Sequence, residues 1–296
     1  MVSVSVVIPF YSRVDWLIEA LDSVAKQTYP VKETIVIDDG SSEDISYLED
    51  SYPTVTFLFQ ENRGAAAARN KGIDASTGEI IMFLDSDDVW MPEKVEKQVR
   101  YMEQRRVQWS VHYYETVGLE KNKLVAQPEY AGLGWKRFYN TISFQTSTVA
   151  IRREALGRKR FAVDMRNGQD VYLWFKMANE YELGVLPECL SLYRMRGSNV
   201  ASSYLNHIRV RGQLWKKMIS GDLLMPDRLL TILGYRICYS MYRKGEQSST
   251  GVIIKDNKFN LICFAIAWSF FRLDNKLQSW LPIKNDLTRK EKLSIW

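Results

Sequence analysis

Residues 79–88 read Glu-Ile-Ile-Met-Phe-Leu-Asp-Ser-Asp-Asp: five consecutive apolar side chains, Ile80 to Leu84, run directly into Asp85, Ser86, Asp87 and Asp88. An unbroken apolar run of this length is the pattern of a strand buried on both faces, which belongs to a parallel sheet covered by helices. In an open parallel sheet the ligand crevice lies beyond the carboxyl ends of the strands, so the residues after the run matter more than those within it. Here those residues are carboxylates.

The sequence upstream repeats the pattern. Val4 to Pro9 is a β-branched run closed by a proline, and Val14, Leu17, Ile18, Leu21, Val24 and Ala25 then recur at helical spacing behind Ser12, which is placed to cap that helix. Thr34 to Ile37 is a second strand, ending in Asp38, Asp39, Gly40 and Ser41, with a helix expected near Asp44 to Asp50. Val55 to Phe59 is a third strand, Gly64 to Ala75 a helix whose start and end are marked by Gly64 and Gly72, and Pro92 opens another helix. This alternation predicts an α/β fold: a mostly parallel, Rossmann-like sheet with right-handed crossovers and helices on both faces. Beyond Gln108 the pattern loosens. Ser110 to Val117, Gln145 to Ile151 and Val185 to Tyr193 read as strands and Asp170 to Tyr181 as a helix, while 121–136 is weakly patterned. The chain divides into a body, 1–201, with halves 1–107 and 108–201, and a C-terminal helical region, 202–296.

The 296 residues are 46% hydrophobic and 25% charged, an ordinary globular composition that permits a sizeable core. The net charge of +5 hides an asymmetry: residues 1–206 hold 24 Lys/Arg against 28 Asp/Glu, and residues 207–296 hold 16 against 7. Cys189, Cys238 and Cys263 are far apart and lack metal spacing, which argues against zinc and for buried thiols in a reducing compartment. The N-terminus lacks the pattern of a signal peptide, and the longest apolar run elsewhere, Leu261 to Phe271, is too short to span a bilayer.

Five carboxylates, Asp38, Asp39, Asp85, Asp87 and Asp88, thus gather at one sheet edge. Close anions repel, so the cluster requires hydrogen bonds, a cation or solvent. Asp38 and Asp88, each taken alone, are best explained as helix or turn caps. The Asp85, Ser86, Asp87 arrangement is different, since it offers hard oxygen ligands to Mg²⁺ or Mn²⁺, ions that usually also meet phosphate.

Four stretches, SVVIPFY (5–11), VIDDGSS (36–42), NRGAAAARNKG (62–72) and MFLDSDD (82–88), in this order and spacing, resemble the family 2 glycosyltransferases, whose nucleotide-sugar-binding architecture is called GT-A. The resemblance implies that 1–107 binds the nucleotide and 108–201 the acceptor. It implies further that Asp39 reads a pyrimidine base, that Pro9 and Tyr11 line the base pocket with Asp38 as a neighbour, and that Arg69 reaches the base. Asp85 resembles the ribose-contacting member of the metal motif beside Ser86, and Asp87 its direct ligand to Mn²⁺ or Mg²⁺. The residue chemistry agrees, because a carboxylate accepts from base or ribose donors and Arg69 places positive charge beside an anionic nucleotide. The donor it implies is a UDP-sugar.

Transfer also needs a base for the acceptor hydroxyl. Asn167 to Asp170 precede a helical pattern and resemble the family's Glu-Asp motif, whose Asp is the base of inverting members; Asp170 is therefore the candidate, and its position also suits an N-cap. Gln169 stands where relatives often carry Glu. Arg196 stands where many carry His, and is placed to pair with the diphosphate in partial substitution for a metal ligand. The expected reaction is a single displacement that inverts the anomeric carbon.

The apolar and basic region 202–296 suggests packing on the body or on another subunit, with 261–271 and its flanking Lys255, Lys258, Arg272 and Lys276 suited alternatively to an anionic membrane surface. A lipid-linked glycan acceptor at the cytoplasmic face of a membrane follows from the resemblance together with this tail; nucleic acid does not, for want of a binding fold. Two rival functions remain at this level. One is an Asp-dependent phosphotransferase, for which no companion Thr and Lys are found. The other is a non-catalytic nucleotide-sugar-binding scaffold.

Overall fold

The computed structural model describes residues 1–118, 123–125, 144–165, 167–195, 204–226, 229–246 and 265–273. Four strands expected from the sequence form one parallel sheet: β1 (Val4–Phe10), β2 (Glu33–Asp38), β3 (Val55–Phe59) and β4 (Ile80–Phe83), in the spatial order β3-β2-β1-β4. All residues of β1 and β4 are buried: β4 is an unbroken apolar run, and β1 is interrupted only by Ser5, whose hydroxyl donates to Glu33 and accepts the Gly78 N–H. Alternate residues serve opposite faces. Val4, Val6, Ile8, Val36, Ile80 and Met82 pack under helices α1 (Val14–Ala25) and α4 (Lys94–Arg105), through Leu17, Leu21, Val95, Val99 and Met102. Val7, Ile35, Ile37, Ile81 and Phe83 face α3 (Ala65–Ala75) on the other side.

Helix α2 is a single turn, Leu48–Ser51, shorter than the helix expected at 44–50. Gly72 lies inside α3 and not at its end, and its role is close approach: a Cβ there would stand 2.4 Å from Val7 Cγ1 and 2.7 Å from Ile37 Cδ1. The alanine run has the same effect, letting the α3 backbone lie on the sheet. Ser12 does not cap α1. The helix is entered through Arg13 in the left-handed region, and the Glu43 carboxylate, from the loop after β2, accepts from the Arg13 and Val14 N–H groups.

The second half extends the same sheet and mixes its direction. The further strands are β5 (Val89–Trp90), β6 (Trp109–Val117), β7 (Lys123–Val125), β8 (Ala150–Arg152) and β9 (Leu183–Arg194). The strand order is β3-β2-β1-β4-β8-β6-β9-β5, with β7 paired to β6. Most paired residues stand in parallel ladders, including the long β6–β9 pairing, while the short β8 runs antiparallel to both β4 and β6. The stretch 145–151, expected as one strand, is a 3-10 turn at Thr146–Thr148 followed by β8.

Helix α5 (Arg153–Leu156) leads to α6 (Gln169–Ala178), which packs Leu173, Trp174 and Phe175 against Phe83, Trp109 and Phe161 on the α3 side of the sheet. The described parts of the tail join this core: Leu214, Trp215 and Met218 of α7 (Tyr204–Ile219), Tyr235 and Cys238 of α8 (Leu229–Glu246), and Ala267 and Phe271 of the helix at 265–273. Among the described residues no helix is long and apolar enough to cross a membrane.

Candidate functional site

The acidic turn follows β4 and is closed by the Asp88 N–H donating to the Asp85 carbonyl at 3.0 Å. Its carboxylates have separate environments. Asp85 is partly exposed and ion-paired with Arg69, whose Nη2 donates to Oδ1. Ser86 and Asp87 are half-buried. Asp88 is 1% exposed: its Oδ2 accepts from the Ser147 hydroxyl at 2.5 Å and its Oδ1 from the Arg194 N–H at 3.1 Å. Burial, followed by the charges of Asp87 and Asp85, raises the Asp88 carboxyl well above the ordinary range. Asp88 is therefore buried structure between two exposed-side carboxylates and the core, a larger role than a simple cap.

Arg69 projects from α3 beneath this turn. It is 6% exposed, and its guanidinium lies 5.4 Å from the Phe161 ring centroid. Burial by itself weakens the charge, but the Asp85 charge and hydrogen bond, with Asp170 and Asp87 adding to them, raise its pKa above the ordinary value. Among the described residues its buried Nε has no hydrogen-bond partner. Phe161 is held in place by Asn70, the next residue on α3, whose side chain bonds both its carbonyl and its N–H at 2.9 Å.

Asp170 approaches the same guanidinium from α6. It does not cap that helix. Gly168 does, with φ +76, and a Cβ there would stand 2.6 Å from Val210 Cγ1 of α7, so both conformation and space demand glycine. Asp170 instead sits in the first turn. Burial pushes its carboxyl above the ordinary range, opposed by the Val171 N–H, the Arg69 charge and its own N–H, while Asp85 adds to the rise. A recessed carboxylate with a raised pKa is a better proton acceptor near neutrality than an exposed one.

The other end of the crevice lies beyond β1 and β2. Pro9 is buried in β1, Tyr11 after it is 56% exposed, and Asp38 accepts the Ser41 N–H at 2.7 Å. Asp39 is buried and accepts three donors: Gln60 Nε2 at 2.7 Å, the Arg63 N–H at 2.9 Å and the Gly64 N–H at 2.8 Å, the last two at the entrance to α3. A carboxylate has about four acceptor positions, which leaves Asp39 one for a ligand N–H. Gly40, φ +73, lets the chain turn against Asn62 immediately beside it.

A divalent cation fits this turn in one way. Asp85 and Asp87 supply hard oxygens, yet among the described residues no group of three His, Cys, Asp or Glu side chains is arranged to hold a metal. The protein's share is thus one or two carboxylates, the set that Mg²⁺ and Mn²⁺ accept when a bound diphosphate completes their octahedron. The turn suits a cation that arrives with its nucleotide. Arg196 lies outside the described residues.

The structure brings Arg69, Asp85, Asp87 and Asp170 into one electrostatic group, with Pro9, Tyr11, Asp38 and Asp39 at the neighbouring strand ends. Sequence reasoning missed Ser147, Arg194, Gln60 and Gly168. Only Gly168, a glycine directly before a helical pattern, carried a local signal.

Comparison with known proteins gives a consistent result. Residues 5–160 match the family Glycosyl transferase family 2. An uncharacterized glycosyltransferase of Rickettsia bellii is 34% identical over 203 residues, covering 66% of this chain; the chain spans only 29% of that protein's length. The Escherichia coli protein WfgD, a UDP-Glc:alpha-D-GlcNAc-diphosphoundecaprenol beta-1,3-glucosyltransferase, is 28% identical over 254 residues, 82% of this chain and 98% of WfgD. Among solved structures, S. aureus TarS 1–349 in complex with UDP-GlcNAc superposes with a TM-score of 0.66 at 20% identity, covering 91% of this chain and 80% of that one. The mannosyltransferase PcManGT from Pyrobaculum calidifontis, in complex with GDP-Man and Mn²⁺, gives 0.61 at 18%, covering 94% and 87%. These last two likenesses establish the shared fold, the GT-A arrangement expected from the sequence.

Proposed function

The chain belongs to glycosyl transferase family 2, and from that premise we propose that it transfers a sugar from a UDP-sugar to an acceptor hydroxyl with inversion at the anomeric carbon. The observation that carries this reading is the convergence of three elements on one buried guanidinium: Asp85 from the end of β4, Arg69 from α3 and Asp170 from the start of α6. A donor-binding carboxylate and a recessed base thereby share a single site. Asp39, with one acceptor position left, receives the base N–H, and Pro9 and Tyr11 flank it. Asp170 takes the proton of the acceptor hydroxyl as that oxygen bonds to the anomeric carbon. The bond from this carbon to the diphosphate breaks, and UDP leaves with the electron pair. Arg69 keeps Asp85 oriented and its charge balanced throughout.

A divalent ion, Mn²⁺ or Mg²⁺, held by Asp87 and Asp85, would supply Lewis-acid stabilisation of the departing diphosphate. The Mn²⁺ beside GDP-Man in PcManGT supports this ion, and the UDP-GlcNAc complex of TarS supports the uridine donor. Arg196, from the sequence reading, would pair with the diphosphate in partial substitution for a metal ligand. The acceptor we propose is a glycan on a lipid carrier, supported by the diphosphoundecaprenol acceptor in the name of WfgD. The catalytic body is 1–201, and 202–296 holds it to an anionic membrane surface on the cytoplasmic side; exposed Ile219, Leu229, Ile266 and Leu273 support that contact.

The test is Asp170→Asn. Expected are UDP binding within a few-fold of wild type and a kcat reduced by about 10²–10⁴, the usual contribution of a general base. Unaltered transfer removes Asp170 as base, and net retention in the product, read by NMR of the anomeric proton, removes the single displacement. UDP binding without any transfer by wild type across a donor and acceptor panel returns the reading to a scaffold.

A further inference from the structure

The acidic turn is gripped from the other half of the sheet. Ser147, in the 3-10 turn before β8, uses its hydroxyl twice: it accepts the Asp85 N–H at 3.0 Å and donates to Asp88 Oδ2 at 2.5 Å. Arg194, the last residue of β9, also acts twice, its N–H on Asp88 Oδ1 and its Nε–H on the Asp87 carbonyl, both at 3.1 Å. Ser147 is itself fixed, since its carbonyl accepts from Trp90 Nε1 at 2.8 Å, and Arg194 is anchored on α1 by Glu19 and by the Trp16 ring, 4.9 Å from its guanidinium carbon. These contacts take main-chain atoms of Asp85 and Asp87 and the side chain of Asp88. They do not take the carboxylates of Asp85 and Asp87.

We propose that Ser147, Asp88 and Arg194 are positioning residues: a clamp from the acceptor half that sets the backbone of the acidic turn so that Asp85 and Asp87 meet a nucleotide-bound divalent cation together. The ligand identity rests on the glycosyltransferase reading above. Ser147 and Asp88 are each 1% exposed, so neither has another route to solvent or substrate. A hydrogen-bond chain in which the Asp85 N–H donates to the Ser147 hydroxyl and that hydroxyl donates to the Asp88 carboxylate is cooperative and directional, and it favours one orientation of the turn. Partners that orient metal ligands typically change metal affinity about tenfold to a hundredfold when removed.

The experiment is calorimetric titration of UDP into wild type and Ser147→Ala, in Mn²⁺ and in EDTA. The expected result is metal-free UDP affinity within threefold of wild type and a Mn²⁺-dependent gain in affinity reduced at least tenfold. A purely structural hydroxyl would lower both affinities in parallel, and that outcome overturns the clamp, as does a Mn²⁺ gain that persists in full. Wild type binding UDP equally with and without Mn²⁺ also overturns it. If wild type binds no UDP at all, the donor assignment itself fails. Should Ser147→Ala not fold, Arg194→Met is read the same way: it keeps the main-chain bond to Asp88 and removes the guanidinium from the Asp87 carbonyl, together with its anchors on Glu19 and Trp16.

Discussion

Lys94 opens α4 and is wholly buried, its Nζ 3.1 Å from the Met82 sulfur and 3.6 Å from the Trp90 ring centroid. No carboxylate pairs with it among the described residues. Two effects oppose each other here. The Trp90 ring favours the ammonium by about 2 kcal/mol when desolvated. Stripping water from a buried ammonium costs several kcal/mol even after relaxation. Burial wins, and the Lys94 pKa falls well below the ordinary value. In the unfolded chain the amine ionises near 10.4, so unfolding takes up a proton at every pH between about 10.4 and the depressed folded value. Stability is therefore fullest above that range and declines by about 1.4 kcal/mol per pH unit as pH falls through it. Lys94→Met keeps the length of the stem and the packing and removes the titration. The variant should be more stable than wild type, with a margin that widens as pH falls from about 9.5 to about 7.5, by at most about 1.4 kcal/mol per pH unit. Urea unfolding at four pH values across this interval measures the margin, and other titrating groups cancel between the two proteins. A margin independent of pH would refute the reasoning, because it would mean that Lys94 keeps its charge against Trp90.

Gly72→Ala gains up to about 1 kcal/mol of helix propensity but drives a methyl into Val7 and Ile37, at a cost of about 1–3 kcal/mol, so the thermal midpoint should fall; an unchanged or higher midpoint contradicts the close approach. Because only the ionised carboxylate accepts the acceptor's proton, and Asp170 is raised by burial, the acid limb of kcat/KM should sit above the ordinary aspartate range; a limb centred at or below about 3.9 counts against Asp170. Full-length protein should float with anionic liposomes at low salt and not with neutral ones; sedimentation with both would detach the tail from the membrane.

The strands nearest the site were legible because a strand covered on both faces must be apolar without interruption, a demand visible within five or six residues. Ile80 to Phe83 satisfies it, and so does Val6 to Phe10, beyond Ser5. The two-residue β5 and three-residue β8 are too short to display any period, and β8 exists only because β4 and β6 flank it. The β-branched Thr146, Thr148 and Val149 imitate a strand, yet the chain turns there, and the turn delivers Ser147 to Asp88. Asp87 and Asp88 are identical in kind and adjacent. What separates a surface carboxylate from a buried one is the arrival of residues 147 and 194, which no local pattern announces. Lys94 and Gln98 have the same lesson: a polar residue on an amphipathic helix signals solvent, and their burial depends on Trp90, Met82, Ser110 and Thr148.

The insertion of β8 beside β4 has a consequence for how the protein is made. Chains emerge from the ribosome N-terminus first and fold as their parts become available. The four parallel strands through residue 83 can associate early, but Asp85 to Asp88 remain without their grip until the 3-10 turn and finally the end of β9 have been synthesised, more than a hundred residues later. The growing chain thus passes through a period in which its most acidic turn is complete in sequence and unset in shape. A nascent chain halted at β6 would present the carboxylates without their geometry.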